Sequence, residues 1–423
     1  MSEHTHKLKP ADDPSFQLPA SLAALAVPLG IGGALLLLVG ILVGLFVMTD
    51  GDVGGKRFTM SAYLTAFMYC FSISLGCLFF VLIQHLCRAG WSVVVRRVAE
   101  MMMIATPALG LLFIPVVLMA WSDSGTLFPW SDAGYGDSHG VPASIWSEKL
   151  RYLSSDWFTI RSLIYLVLLS AISIYYFRLS RRQDETGEIT LTERMQAASG
   201  PATIAFSLIT TFAAFDWLMS LAPMWFSTMF GVYIFSGSVL AAHAAIAVGV
   251  YLLQSRGALR DEVTVEHYHD LGKLLFGFVT FWTYIAFSQF VLIWYANIPE
   301  ETHWFDTRLS GSWGAVSYAL IFFHWLFPFL GLLSRHVRRQ PALVFGWSIY
   351  LLIVHFVDLV WIVMPEASTT FGGVMGIATA LLITLGMVAL YVGGILWFMR
   401  ANQVRVLPVR DPRLSESLAF ENI

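Results

Sequence analysis

Apolar residues along this chain fall into long, nearly unbroken runs, not into two-residue alternation or a one-sided helical stripe. A helix rising about 1.5 Å per residue needs roughly 20 such residues to cross a hydrocarbon core. Ten runs reach that length, at roughly 22–48, 60–87, 98–120, 158–178, 197–221, 226–253, 271–295, 312–334, 342–364 and 371–399. They predict an all-α integral membrane protein with ten transmembrane helices. The first run is too long, and its flank too acidic and Pro-rich, for a cleaved signal peptide. Residues 1–21 and 400–423 read as polar tails around a membrane domain at 22–399. The tail "LPVRDPRLSESLAFENI" reads as either free or laid on a partner, and "RRQDETGEIT" as a polar loop.

Composition agrees. The chain is 57% hydrophobic and only 13% charged, against about 25% charged in ordinary soluble domains, so there is too little polar sequence to cover a soluble core. A net charge of −3 points to no nucleic-acid partner. Cys70, Cys77 and Cys87 have no CxxC or CxxCH spacing, which encodes no disulfide framework, covalent haem or iron–sulfur site.

Lys and Arg set the orientation. If the N-terminus is cytoplasmic, the inner segments hold 19 of the 25 basic residues, from Lys7 and Lys9 to Arg410 and Arg413. The outer segments keep Lys56, Arg57, Lys149, Arg151, Arg161 and Arg308. Both termini are therefore expected on the cytoplasmic side. The largest outer loop, about 121–157, is rich in Trp, Asp, Gly and Ser and suits an interfacial belt or a docking surface.

Two stretches echo each other. "FDWLMSLAPMWFSTMFG" closes the fifth run and "VDLVWIVMPEASTTFG" the ninth. In each an Asp precedes a Pro by seven residues, Asp216 before Pro223 and Asp358 before Pro365, and a Ser-Thr-x-Phe-Gly follows shortly after. An offset of four spans preserves direction across the membrane, so the echo predicts a parallel repeat. Spans two to five (about 60–221) and six to nine (about 226–364) form two four-helix bundles, with spans one and ten flanking them.

"FAAFDWLMSLAPMWFSTMFGVYIFSGS", "HDLGKLLFGFVTFWTYIAFSQFVLIWYANIPEET" and "HFVDLVWIVMPE" resemble the ActF-type membrane subunit of bacterial alternative complex III, a quinol:electron-acceptor oxidoreductase. That subunit is of the polysulfide-reductase-like (NrfD-type) family, and the resemblance covers nearly all ten spans. It implies two four-helix bundles with two flanking helices. It implies partners: a paralogous NrfD-like membrane subunit, an iron–sulfur protein, c-type cytochrome subunits and small membrane subunits. Haem c and iron–sulfur clusters then belong to the partners, the better-supported quinol site lies in the paralogue, and this subunit carries protons or gives structural support.

Ionisable side chains inside a bilayer are costly, roughly 2.5–3.5 kcal/mol at a helix centre, and should face the bundle interior. By depth, His85 and Glu100 lie near the inner ends, His243 in the inner half, His324 and His355 near mid-membrane, and Asp216, Asp358 and Gln289 in the outer half. His355 and Asp358 share a helix face at i and i+3. The ladder reads as a proton path, bridged by Ser207, Thr210, Thr211, Thr280, Thr283 and Tyr284, with His355 and Asp358 facing Asp216 across the seam between the bundles. The same positions suit plainer roles. The aspartates can lock helices, His243 and His324 can pack among small and aromatic neighbours, and His85 and Glu100 can pair with Arg. A quinol pocket in the outer half, around Trp217, Trp225, Gln289 and Trp361, is the second reading. A secondary transporter is the third, against which no mid-membrane break is expected, Pro107 and Pro115 only kinking span three. No residue set implies a metal, and no paired-histidine spacing implies haem b.

Overall fold

The computed structural model describes residues 9–47, 54–122, 125–368 and 370–422. Lys7 and Thr369, the second residue of the Ser-Thr-x-Phe-Gly stretch in the second echo, lie outside them. Every regular element among the described residues is helical, and ten helices are long and apolar enough to cross a membrane. The fold is that of an all-α, multi-pass membrane protein.

The spans are Ala26–Phe46, Gly54–Leu86, Val93–Ala120, Ser155–Thr186, Ile189–Trp217, Phe230–Ser255, Val265–Ala296, Gly311–Leu333, Pro341–Val363 and Gly373–Ala401. Several run past the apolar sequence. The "RRQDETGEIT" segment is mostly helix, not loop: Arg, Gln and Glu are good helix formers. The turn is confined to Gly187 and Glu188, where Gly187 takes the left-handed conformation (φ 71°) that closes a helix.

Spans two, three, four and five pack in a ring, and so do six, seven, eight and nine. Span two meets span six and span nine across the seam, and span five meets span six. The approach is closest at Gly76, where a Cβ would lie 2.1 Å from the Ser238 carbonyl oxygen. Spans one and ten pair with each other and lean on span two. Their backbones touch through small residues: a Cβ on Gly33 would meet the Leu390 backbone at 2.4 Å, and one on Gly386 the Leu37 backbone at 2.4 Å. The echo survives in three dimensions, since spans five and nine both end in a 3-10 turn, Met219–Leu221 and Met364–Glu366.

Span three departs from expectation. It is cut into Val93–Met103, Thr106–Leu112 and Ile114–Ala120. Pro107 and Pro115 each lack the N–H that would complete the helical ladder. The Met103 carbonyl, four residues before Pro107, instead accepts the Ser173 and Thr106 hydroxyls at 2.6 and 2.7 Å. Span eight shows the same physics. Pro328 cannot donate to the His324 carbonyl, and Ile321–Leu326 widens into a π-turn that carries His324.

Both described chain ends lie at one end of the bundle. Lys9 pairs with Asp261 and Glu262 of the six–seven connection at 2.8 and 2.9 Å. The described C-terminal tail is not free. It folds onto its own bundle, burying Val404, Val406, Leu407 and Leu414, with Asp411 2.5 Å from Arg96 and the Ser417 hydroxyl 2.6 Å from the Trp91 carbonyl. The outer loop also turns inward. Phe128 and Trp130 are buried against Phe158, leaving Trp121 and Trp157 exposed.

Candidate functional site

The two echoing aspartates do not face each other; each lies in the core of its own bundle. Asp216, on span five, accepts hydrogen bonds from Arg161 Nε and Nη2 at 2.7 and 3.0 Å and from Tyr165 Oη at 2.8 Å, all from span four. Arg161 also covers the Tyr152 ring at 3.8 Å. Next to the aspartate, the Trp217 indole donates to Ser162 at 2.9 Å. Asp216 is thus a charge-paired lock between spans four and five. Protonating it would strand a half-buried guanidinium.

Asp358, on span nine, has a different environment. It accepts from the Tyr233 hydroxyl of span six and, at 3.2 Å, from the Trp282 indole of span seven. It pairs with no cation among the described residues. A fully buried carboxylate held by two neutral donors can take up a proton without leaving a positive charge unmatched. The far face of Trp282 lies against His324, ring centroids 3.7 Å apart, and neither His324 nitrogen has a partner among the described residues.

His355, one turn before Asp358, reaches the seam. Its Nε2 lies 2.9 Å from the Ser72 hydroxyl of span two, while its Nδ1 is buried without a partner among the described residues. Gly237 on span six makes room. A Cβ there would fall 3.1 Å from His355 Cε1, 3.3 Å from Nδ1 and 3.8 Å from Asp358 Oδ2. The unpaired imidazole nitrogen and the carboxylate therefore border one small spot, and the imidazole's other nitrogen points into the first bundle. An imidazole so placed can take a proton on one nitrogen and give one from the other.

Toward the end where the termini lie, polar contacts continue through bundle one. The Ser74 hydroxyl is 2.9 Å from both Tyr391 Oη and the Met102 carbonyl, beside the break in span three. Beyond it Glu100 is buried between Arg96 (3.1 Å) and Arg97 (3.0 Å) and accepts the Ser180 hydroxyl at 2.8 Å, while Arg97 also holds Asp184 at 2.6 Å. Glu100 therefore does pair with Arg, as the plainer reading has it. His85 is buried beside the Tyr176 ring with Nε2 unpartnered among the described residues. His243 stands apart: its Nδ1–H donates to the Val239 carbonyl one turn back at 2.7 Å, and its ring packs between Phe80 and Phe278. Of the bridging hydroxyls, Ser207, Thr280 and Tyr284 face outward. Thr210 is buried with its hydroxyl unpaired among the described residues.

The outer-half aromatics do not surround one pocket. Trp217 is packed among Phe67, Phe71 and Phe113. Trp361 donates to Ser317 at 2.7 Å, repeating in bundle two the Trp217–Ser162 contact of bundle one. Gln289 is buried on span seven with its carbonyl oxygen unpaired among the described residues. Trp225 borders an outer cleft of about 360 Å³ that is also lined by Arg57, Glu300 and His303, and its ring stacks on Trp304 at 4.3 Å.

Sequence reasoning passed over five residues here. Arg161 and Arg308 stand out as outer-side exceptions to the Lys/Arg bias, and that was the available signal. Arg308 is fully buried, donates to the Trp304, Trp361 and Ile362 carbonyls and pairs with Glu366 at 3.0 Å. Burial, partly countered by Glu366, lowers its guanidinium to about 10. Tyr233, Trp282 and Ser72 carry no such signal, being ordinary members of apolar runs.

Fold and site together define a polytopic helical membrane protein with a polar cluster buried across its bundle seam. No protein-family model matches the chain, and no curated protein matches it. No group of three or more His, Cys, Asp or Glu among the described residues is placed to hold a metal ion.

Proposed function

We propose that this chain is the ActF-type membrane subunit of a bacterial quinol:electron-acceptor oxidoreductase of the alternative complex III kind. In this reading it conducts protons and scaffolds the complex, with no redox centre of its own. It sits in the cytoplasmic membrane with both termini inside. Its partners are the paralogous NrfD-like subunit, the iron–sulfur protein, c-type cytochromes and small membrane subunits.

One observation carries the proton role: Asp358, a buried carboxylate with no cation partner among the described residues, stands one helical turn from a seam histidine whose Nδ1 is unpaired among them. Ionisable groups at such depth are expensive unless used. Asp216 joins the scaffold instead, because Arg161 already satisfies it.

Copurification tests the assignment. A tagged chain extracted in mild detergent should bring haem-c and iron–sulfur subunits with it at fixed stoichiometry. The breaks in spans three and eight give the transporter reading its support, and a chain that purifies alone and moves a solute would establish it. Quinol binding by this chain is the second reading, and the outer cleft beside Trp225 is the observation that favours it.

A further inference from the structure

At the end of the bundle where the termini lie, a second cleft opens between spans three, four and ten. Its volume is about 710 Å³, inside the roughly 300–1,000 Å³ range of ligand clefts. One wall is apolar, made by Ile104, Pro107, Ala108, Ile174, Phe177 and Phe398. The rim is basic: Arg178, Arg181 and Arg182 border the same space, with Glu185 and Asn402 beside them. Spaced i, i+3 and i+4, the three arginines share a helix face, where like charges repel. Their side chains make no hydrogen bond or ion pair among the described residues. Some arginines at this end are paired, Arg96 with Glu100 and Asp411, Arg97 with Asp184 and Arg339 with Glu266, while Arg88 and Arg194, like the three on the rim, have no side-chain partner among the described residues.

We infer that this cleft binds an anionic phospholipid of the adjoining leaflet. The phosphate sits among Arg178, Arg181 and Arg182, which offer guanidinium forks suited to it, and the upper part of an acyl chain lies along the apolar wall. Basic pockets between helices at a membrane face recognise such headgroups. The break in span three builds the wall, because the turn at Ile104 and Ala105 leads into Pro107 at the mouth of the space. The carboxylate of Glu185 on the rim selects for a headgroup with hydroxyls or an amine next to its phosphate over a bare dianion.

The test uses the full chain in nanodiscs of phosphatidylcholine containing a minor fraction of phosphatidylglycerol with a photoreactive acyl chain. Crosslinked peptides are mapped by mass spectrometry. Labelling is expected to concentrate on 104–108 and 174–177. It should fall about a hundred-fold in the triple variant Arg178→Gln, Arg181→Gln, Arg182→Gln, the order expected when three cationic contacts of about 1 kcal/mol each at a membrane surface are lost. Arg194→Gln, an exposed position at the same end, should leave it unchanged. Ala108→Trp, which fills the cleft and keeps its charges, should also abolish it, and decides the matter alone if the triple variant fails to fold. Equal labelling by a photoreactive phosphatidylcholine, labelling spread round the bundle, or no change in either variant would overturn the inference. Displacement by millimolar inorganic phosphate would mean a small-anion site and would also overturn it. So would native-membrane crosslinks from these positions to protein instead of lipid.

Discussion

His355 and Asp358 stand one turn apart on span nine yet bond to different bundles. His355 reaches Ser72 of bundle one at 2.9 Å, while Asp358 is held by Tyr233 and Trp282 inside bundle two. A single helical turn thus spans the seam. Its sequence twin Asp216 has no such link and is tied to Arg161 at 2.7 Å. The duplicated Asp position is charge-paired in one bundle and held by neutral donors in the other.

The lock has a stability signature. Asp216→Asn leaves Arg161 without its counter-charge and is expected to cost about 3 kcal/mol. Arg161→Met in the same chain should restore much of that loss, with a coupling above about 1 kcal/mol for two residues in direct contact. Unfolding of the four single and double variants in mixed micelles measures the cycle. Additive losses would mean that the pair is not a unit.

Gly237→Ala probes the seam without replacing a titratable group. The added methyl falls 3.1 Å from His355, an overpacking that typically costs about 1–3 kcal/mol. The variant should assemble, with slower proton transfer as His355 is pushed off Ser72 or away from Asp358. Turnover equal to that of the parent complex, with His355 displaced in a structure, would count against the role of this contact.

Tail docking should survive ordinary pH and fail in acid. Burial raises the Asp411 carboxyl, but the Arg96 guanidinium and its hydrogen bond, with the Arg413 N–H, outweigh it and hold the group below its ordinary 3.8. A carboxyl depressed in the folded state contributes stability that is fully present above its unfolded value and lost as pH falls through the folded one. Hydrogen exchange at 404–418 should therefore stay slow from neutral pH to about 4 and rise below that. Asp411→Asn should raise exchange at neutral pH and converge with the parent in acid, and a flat profile in the parent would contradict the assignment.

The spans were legible because a bilayer demands about 20 apolar residues each, and the two-bundle layout because the Asp-Pro echo preserved its spacing. Partners across spans were not legible. Arg161 and Asp216 are 55 positions apart, and no local periodicity links them. Hydropathy also hid the broken helices, since Pro107, Pro115 and Pro328 cost backbone hydrogen bonds without making their runs less apolar. The docked tail had a readable sign in Val404, Val406, Leu407 and Leu414, apolar residues within an otherwise polar end.

The most direct measurement is the number of protons moved per electron by the complex isolated with this chain, reconstituted in proteoliposomes and driven by quinol oxidation. Asn keeps the shape of Asp, its Oδ1 can accept from the Trp282 indole while its amide N–H donates to the Tyr233 hydroxyl oxygen, and it cannot titrate. Asp358→Asn should assemble with full cytochrome content and show fewer protons per electron or markedly slower turnover. Asp216→Asn, where it assembles, should leave the stoichiometry unchanged. An Asp358→Asn complex with the parent's turnover and proton stoichiometry would contradict the account and make both aspartates helix locks.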